Sequence, residues 1–171
     1  MIDTVMNDII ILGMLREGPK HGYRLKQDAA LLSGAQQLHN NTVYPLLKRY
    51  LTKGWITKRE TDGERGQTRL LYELTKTGTK ALIEKLTEFS PADAASGPAF
   101  RLHVGLFGLL DKPARERILS LRDEYLSERL GQLRKISNVP GIGEWAASTV
   151  GFVTKELQLE RKWIGQLMEH I

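Results

Sequence analysis

The chain has 171 residues, of which 41% are hydrophobic and 26% charged, a composition typical of a globular protein with one or two small domains. It contains no cysteine, which excludes a disulfide framework and a thiolate zinc site and suits a reducing interior. The net charge of +5 at pH 7 favours polyanionic partners. The sequence has no signal-peptide pattern and no apolar run long enough to span a bilayer, so we expect a cytoplasmic protein without a membrane partner.

Two helices are predicted in the first part of the chain. Residues 4–16 carry apolar side chains at spacings of three and four. Residues 17–19 (EGP) end this helix, because glycine closes it and proline prevents its continuation. Residues 21–32 form the second predicted helix, with Tyr23 and Leu25 among its inward positions and a Ser-Gly pair as its stop.

A third helix is predicted within residues 40–54 (NNTVYPLLKRYLTKG). Pro45 is placed in its first turn because proline has no N–H to donate, and Gly54 supplies a left-handed stop. One face is apolar and the opposite face carries cations. The apolar positions are Val43, Leu46, Leu47, Tyr50 and Leu51. Three short helices with a basic third one have the layout of a helix-turn-helix.

A hairpin is predicted after the third helix. Residues 55–60 and 68–74 are rich in β-forming side chains, and a polar segment with two glycines, residues 61–67, separates them. Thr75 is predicted to cap a helix over residues 76–89. Three helices followed by strand, basic tip and strand have the order of a winged helix-turn-helix.

The predicted domain organisation has three parts. Residues 1–90 form a winged helix-turn-helix DNA-binding domain, residues 91–98 (PADAASGP) a linker, and residues 99–171 a helical C-terminal dimerisation domain. Broad apolar stripes on the later helices favour homodimerisation, because three helices of this size cannot bury them alone. A heptad-like seam consists of Leu119, Leu126, Leu130 and Leu133. The predicted fold class is mainly α with a small β-hairpin wing.

Positive charge is concentrated on the third helix and the hairpin. Lys and Arg outnumber Asp and Glu by seven to three over residues 42–69, whereas the counts are 11 and 10 over residues 91–171. We therefore expect this segment to bind double-stranded DNA. Candidates for base edges or nearby phosphates are Asn41, Thr42, Tyr44 and Lys48, candidates for phosphates are Arg49 and Lys53, and candidates in the wing are Arg65, Gln67 and Arg69.

Four short motifs also favour a DNA-binding protein. They are residues 21–23 (HGY), 42–49 (TVYPLLKR), 53–56 (KGWI) and 72–78 (YELTKTG). In this order they resemble the PadR family of bacterial transcriptional regulators, and the later helices look like the family's larger C-terminal domain. The resemblance implies a dimeric winged-helix protein that binds a promoter palindrome, usually as a repressor, and is often released by a small molecule.

Other functional classes are weighed against this one. A basic third helix also fits a winged-helix interaction module that binds an acidic protein partner. An enzyme is not favoured, because the sequence has no catalytic triad pattern and no phosphate loop. The four histidines are scattered, so we expect no metal and no cofactor. Aromatic side chains of the second domain are either core residues or part of an effector pocket. The candidate effector-binding residues are Phe100, Arg101, His103, Phe107 and Trp145.

Overall fold

The computed structural model describes residues 2–32, 40–62 and 68–171, without the side chains at positions 2–4, 29–32, 40, 41 and 62. The chain divides into a first unit, Met1–Glu88, and a second unit, Phe89–Ile171. The first unit contains α1 (Ile2–Arg16), β1 (Lys20–His21), α2 (Gly22–Leu32), α3 (Asn40–Thr52), β2 (Ile56–Asp62), β3 (Thr68–Leu74) and α4 (Lys76–Thr87). The second unit contains α5 (Pro91–Ala95), α6 (Gly97–Gly105), α7 (Lys112–Ser137) and α8 (Glu144–Glu169). The mainly α fold with a small β-hairpin is confirmed. No described helix is both long and apolar enough to cross a membrane.

Helix α1 is the centre of the first unit. It contacts α2, β3 and α4, and its apolar run from Ile9 to Leu15 supplies most of its buried side chains. The other helices add side chains that are fully or almost fully buried: Leu25, Val43, Leu47, Tyr50, Leu82 and Leu86. Full burial of one such aliphatic side chain is worth about 1.5–3 kcal/mol, so this core holds α3 by its apolar face.

Helix α3 confirms the predicted apolar face but begins earlier than predicted. Val43, Leu46 and Leu47 are buried. The helix starts at Asn40, so Pro45 lies inside it and the placement of Pro45 in the first turn was wrong. Proline removes one N–H bond near the beginning of the helix. Burial of the neighbouring apolar side chains offsets that loss, so tertiary packing overrides the local signal.

The hairpin pairs in the predicted way and gains a third strand. Strands β2 and β3 are antiparallel, with Ile56 opposite Leu74. The short β1 pairs with the other edge of β3, and Lys20 lies opposite Tyr72. Because β1 contains His21, the prediction that the second helix begins there was wrong by one residue. A strand of two residues has no periodicity that a sequence pattern could reveal.

Hydrogen bonds at Gly54 and Thr75 stabilise the connection from α3 to β2. Gly54 has a φ of +67°, which confirms the left-handed stop. Its N–H donates to the Leu51 carbonyl at 3.1 Å, while the Trp55 N–H donates to the Tyr50 carbonyl at 2.9 Å. Thr75 caps α4 as predicted: its hydroxyl accepts from the N–H of Gly78 at 3.0 Å and donates to the Gly54 carbonyl at 2.7 Å. One threonine thus ties the end of α3 to the beginning of α4.

The segment expected to be a linker, residues 91–98, is helical over Pro91–Ala95 and again from Gly97. The hydroxyl of Ser90 accepts from the Asp93 N–H, and the Asp93 carboxylate accepts from the Ser90 N–H at 2.9 Å. This capping box stabilises α5 in a segment whose composition alone suggested a loop. The next elements are α6 and a 3₁₀ turn at Phe107–Leu109.

Helices α7 and α8 form an antiparallel pair in the second unit. The four leucines of the predicted heptad-like seam are buried, and α7 contacts α8. Two bidentate ion pairs of opposite polarity join the helices. Arg122 donates to Glu160 at 2.9 and 3.0 Å, and Arg161 donates to Asp123 at 2.7 and 2.9 Å. Such forked pairs are geometrically specific, so they set the register of α7 against α8.

We predict that Gly78→Ala destabilises the first unit. A Cβ at this position would lie 2.0 Å from the Trp55 carbonyl oxygen, so backbone atoms must move. Forced overpacking typically costs about 1–3 kcal/mol. The control is Gly131→Ala in α7, where nothing lies within 4 Å of the added Cβ. It should gain about 0.5–1 kcal/mol from helix propensity. Urea unfolding followed by circular dichroism measures both variants, and an unchanged or raised stability for Gly78→Ala would contradict the clash.

Candidate nucleic-acid interface

The outer face of α3 carries most of the residues predicted to read DNA. Tyr44 is 49% exposed, Lys48 is exposed and Thr42 is half-buried. Tyr44 and Lys48 project away from the buried Val43 and Leu47. Thr42 lies two residues before Tyr44 and therefore about 200° around the helix axis from it. The side chain of Asn41 lies outside the described residues, although its backbone belongs to the first turn of α3. The cation of Lys48 and the phenol of Tyr44 on the outer face provide donors that base edges and phosphates accept.

The ring of Tyr44 packs against the backbone of α2 at Gly22. A Cβ at Gly22 would lie 3.1 Å from Cε1 of Tyr44 and 3.4 Å from Cε2 of Tyr72. Because Gly22 has no side chain, both rings approach the backbone of α2 closely. Gly22 therefore positions Tyr44 on the outer face of α3.

The C-terminal end of α3 is held by aromatic packing. The rings of Tyr50 and Trp55 stack with centroids 5.6 Å apart. The exposed Lys53 places its Nζ 4.4 Å from the Trp55 ring centroid, which is a cation–π distance. Lys53 keeps its charge at the surface, where it is available to an anion such as a phosphate.

Arg49 has a different environment from its neighbour Lys48. Its guanidinium Nη2 donates to Oδ1 of Asp8 on α1, a residue that is 3% exposed. The Tyr50 hydroxyl donates to the same Asp8 oxygen at 2.5 Å, and the Lys85 Nζ lies 2.9 Å from the other oxygen. We call these four residues the Asp8 cluster. Burial, with the Asp8 carboxylate beside it, raises the pKa of the Tyr50 phenol, so this hydroxyl remains a donor.

Sequence reasoning missed the Asp8 cluster. It assigned no role to Asp8 and treated Arg49 as a candidate phosphate ligand. A signal was present, because Asp8 directly precedes the apolar run of α1, where a carboxylate on the inward face needs a cation to balance it. The identity of that cation, 41 residues away, depends on tertiary packing.

The predicted wing residues are only partly described. Arg69 on β3 is exposed, and so are Lys58 and Arg59 on β2. Arg65 and Gln67 lie outside the described residues. The described part of the hairpin thus adds three exposed cations to the first unit.

The predicted inward position of Tyr23 was wrong. This side chain is 65% exposed, whereas Leu25 is fully buried. Residues that are two positions apart on an α-helix project about 200° apart around its axis, so the two side chains cannot both face the core. Tyr23 instead lies on the surface beside Gln27, whose Nε2 donates to the Tyr23 hydroxyl at 2.9 Å.

The candidate effector residues of the second unit have different environments. Phe100 and His103 of α6 are buried; Phe100 packs edge-on against Trp163, and His103 packs against Phe89. Burial lowers the pKa of His103, so its imidazole is neutral at pH 7. Phe107 is buried, Arg101 is exposed, and Trp145 is 83% exposed in the first turn of α8. Phe100 and His103 are core side chains in this structure.

Residues 11–84 match the model of the transcriptional regulator PadR-like family, which confirms the resemblance carried by the motifs. Several solved structures are similar to the chain. Bacillus subtilis PadR in complex with operator DNA is 19% identical, covers 96% of this chain and 97% of its own, and has a TM-score of 0.48. The same protein in complex with p-coumaric acid is 18% identical, with coverages of 95% and 93% and a TM-score of 0.42. A transcriptional regulator from Clostridium thermocellum is 27% identical, with coverages of 51% and 87% and a TM-score of 0.45. No curated protein matches the chain.

We predict that Asp8→Asn destabilises the first unit by about 2–3 kcal/mol, since it leaves two cations facing a neutral amide in a buried place. The loss stays below that of a fully buried pair because the Arg49 side chain is 36% exposed. The control is Asp28→Asn, which breaks a pair with an Arg24 side chain that is 66% exposed. The control should change stability by less than about 0.5 kcal/mol. Equal urea midpoints for the two variants would disprove a structural role for the cluster.

Proposed function

We propose that this PadR-family transcriptional regulator is a dimeric repressor that binds a palindromic promoter operator in the cytoplasm and is released by a small molecule. The observation that carries the proposal is the outer face of α3, where Tyr44 and Lys48 are exposed while the opposite face is locked into the core. The major groove of B-DNA admits an α-helix, and a rigidly held helix can read base edges there.

The proposed contacts assign different roles to the cations of the first unit. Thr42, Tyr44 and Lys48, together with Asn41 in the first turn, face base edges and nearby phosphates in the major groove. Lys53 and Arg69 contact phosphates, and the hairpin tip adds Arg65 and Gln67. Arg49 contacts the protein and not the DNA, because its guanidinium is bound to Asp8. Its task is to orient α3 and not to neutralise a phosphate.

The proposed dimer uses the free face of α8. Trp145, Phe152 and Leu159 recur at intervals of seven residues and are 83%, 61% and 70% exposed. The seam of α7 is not available, because its leucines are buried within the unit. A row of large apolar side chains on an exposed helix is typical of an interface, and two copies related by a two-fold axis would cover it. The same axis would set the spacing of two α3 helices on a palindrome.

Release by an effector follows from thermodynamic coupling. A ligand that binds the free dimer better than the DNA-bound dimer lowers operator affinity, and such couplings are typically about 1–3 kcal/mol. The predicted effector residues Phe100, Arg101, His103, Phe107 and Trp145 belong to the proposed dimerisation domain, so a ligand there would act through the distance between the two α3 helices.

The DNA-binding role is tested with a duplex of the chain's own promoter region in a fluorescence-anisotropy titration. We expect Lys48→Ala and Tyr44→Ala to weaken binding by about 1–3 kcal/mol each if they contact bases. A phosphate contact of Lys48 would also reduce the slope of log affinity against log salt by about 0.9. Lys80→Ala on α4 is the control, since it removes an exposed cation from another element of the same unit.

Specific reading by α3 would be contradicted if the unaltered protein bound random duplex equally well. Binding of an acidic protein and not of DNA, with loss of that binding in Lys48→Ala, would instead favour an interaction module.

The dimer is tested by sedimentation equilibrium at micromolar concentration. We expect a dimer for the unaltered chain and a monomer for the double variant Trp145→Ser, Phe152→Ser, because each serine removes a large apolar contact from the seam. Both positions are exposed, so the fold should be retained. Gln158→Ser, an exposed position outside the heptad row, should remain dimeric. A monomeric parent protein would refute the dimer.

A further inference from the structure

Trp55 lies between the end of α3 and the beginning of β2, and its backbone is fixed on both sides. Its N–H donates to the Tyr50 carbonyl at 2.9 Å, and its own carbonyl accepts from the N–H of Thr75 at 3.0 Å. The same carbonyl packs closely against Gly78, where no Cβ would fit. The indole therefore extends from a backbone that has little freedom to move.

The indole of Trp55 contacts one aromatic ring and two ammonium groups. The Tyr50 ring stacks on it, with centroids 5.6 Å apart and an angle of 27° between the planes. The Nζ of Lys53 lies 4.4 Å from the centroid of the indole, and the Nζ of Lys85 lies 5.6 Å from it. Both are cation–π distances. Because Tyr50 and Lys85 belong to the Asp8 cluster, the indole connects this cluster with Lys53.

The two lysines beside the indole differ in what else they bind. The Nζ of Lys85 lies 2.9 Å from Oδ2 of Asp8, so its charge is already balanced within the protein. Lys53 is exposed, and within the described part of the chain it forms no ion pair. An ammonium group has three N–H donors, and a ring face covers only one side of it. Lys53 can therefore rest on Trp55 and donate to an anion at the same time.

A lysine that is held in place before binding loses less freedom when it binds. Lysine has many rotamers, and immobilising such a side chain at an interface costs part of the binding energy. We propose that Trp55 is a positioning residue, which holds the Lys53 ammonium in place for a phosphate of the DNA backbone. This inference rests on the proposed function, in which Lys53 contacts a phosphate. It also makes the Asp8 cluster act on DNA affinity, because Tyr50 of the cluster supports the indole that holds Lys53.

The contact between Trp55 and Lys53 is tested first without DNA, by NMR of this protein with isotope-labelled lysine. Protons above an aromatic ring are shifted upfield, so the Hε resonance of Lys53 should lie upfield of that of Lys80, an exposed lysine of α4. The resonance is assigned by its loss in Lys53→Ala, and Trp55→Leu should return it to the position of the Lys80 resonance. Equal shifts for the two lysines in the unaltered protein would overturn the contact.

The positioning role is tested by a double-mutant cycle, in which fluorescence anisotropy measures the affinity for the promoter duplex. Trp55→Leu should weaken binding about two- to fivefold, which is the range of an exposed cation–π contact. In a Lys53→Ala background the same substitution should have no further effect, because the lysine that it positions is absent. In a Lys58→Ala background, which removes an exposed cation of β2, its effect should persist. A loss of equal size in the Lys53→Ala background would indicate a general structural role of Trp55 and overturn the proposal.

Trp55→Phe is the conservative variant. It keeps a ring beside Lys53, so it should bind the duplex more tightly than Trp55→Leu and more weakly than the unaltered protein, since tryptophan is the best cation–π partner. Urea unfolding checks that each variant is folded under the conditions of the titration. If Trp55→Leu does not fold, the cycle is measured with Trp55→Phe, whose smaller loss should also vanish in the Lys53→Ala background.

Failure of the proposed function can be distinguished from failure of this inference. If the unaltered protein binds no duplex, the proposed function fails and the role of Trp55 in DNA binding fails with it, whereas the NMR shift still decides whether Trp55 holds Lys53. If the unaltered protein binds the duplex but the two positions are not coupled, only the role of Trp55 is overturned.

Discussion

One buried carboxylate organises the first unit. Asp8 of α1 accepts bonds from Arg49 and Tyr50 of α3 and forms an ion pair with Lys85 of α4, so its two oxygens join three helices. An isolated carboxylate in such a place would cost several kcal/mol, and so would the cations without it. These bonds to Asp8 therefore require the observed arrangement of α1, α3 and α4. This requirement fixes the rotation of α3 about its own axis, which hydrophobic contacts alone specify less strictly.

The orientation of α3 gives two adjacent cations different environments. Arg49 turns inward to Asp8, and Lys48, one residue earlier, is exposed beside Tyr44. Neighbouring helical residues project about 100° apart, so the anchoring of one determines the direction of the other. The cap of Thr75 and the stack of Tyr50 on Trp55 hold the C-terminal end of the same helix. A reading surface with little freedom loses little entropy when it binds.

Features that depend on local sequence could be predicted, whereas features that depend on tertiary contacts could not. Gly54, the Thr75 cap and the apolar face of α3 follow from backbone chemistry and periodicity, and all were predicted. The bond between Arg49 and Asp8 was not predicted, because Lys and Arg on one helix look alike until a partner from another helix selects one. Tyr23 was misread because inward and outward positions depend on which side of α2 meets the core. The Ser90 capping box was overlooked because the segment's proline, glycine and small residues suggested a loop.

The proposed function requires two copies of α3, each held by an Asp8 cluster, to read a palindrome. Selection of duplexes from a random pool by this protein tests that requirement. We expect enrichment of inverted half-sites whose centres are about 10–10.5 base pairs apart, or a multiple of that distance, because a two-fold dimer presents its helices on one face of the duplex. Enrichment of a single unpaired half-site, or no enrichment over random sequence, would contradict it.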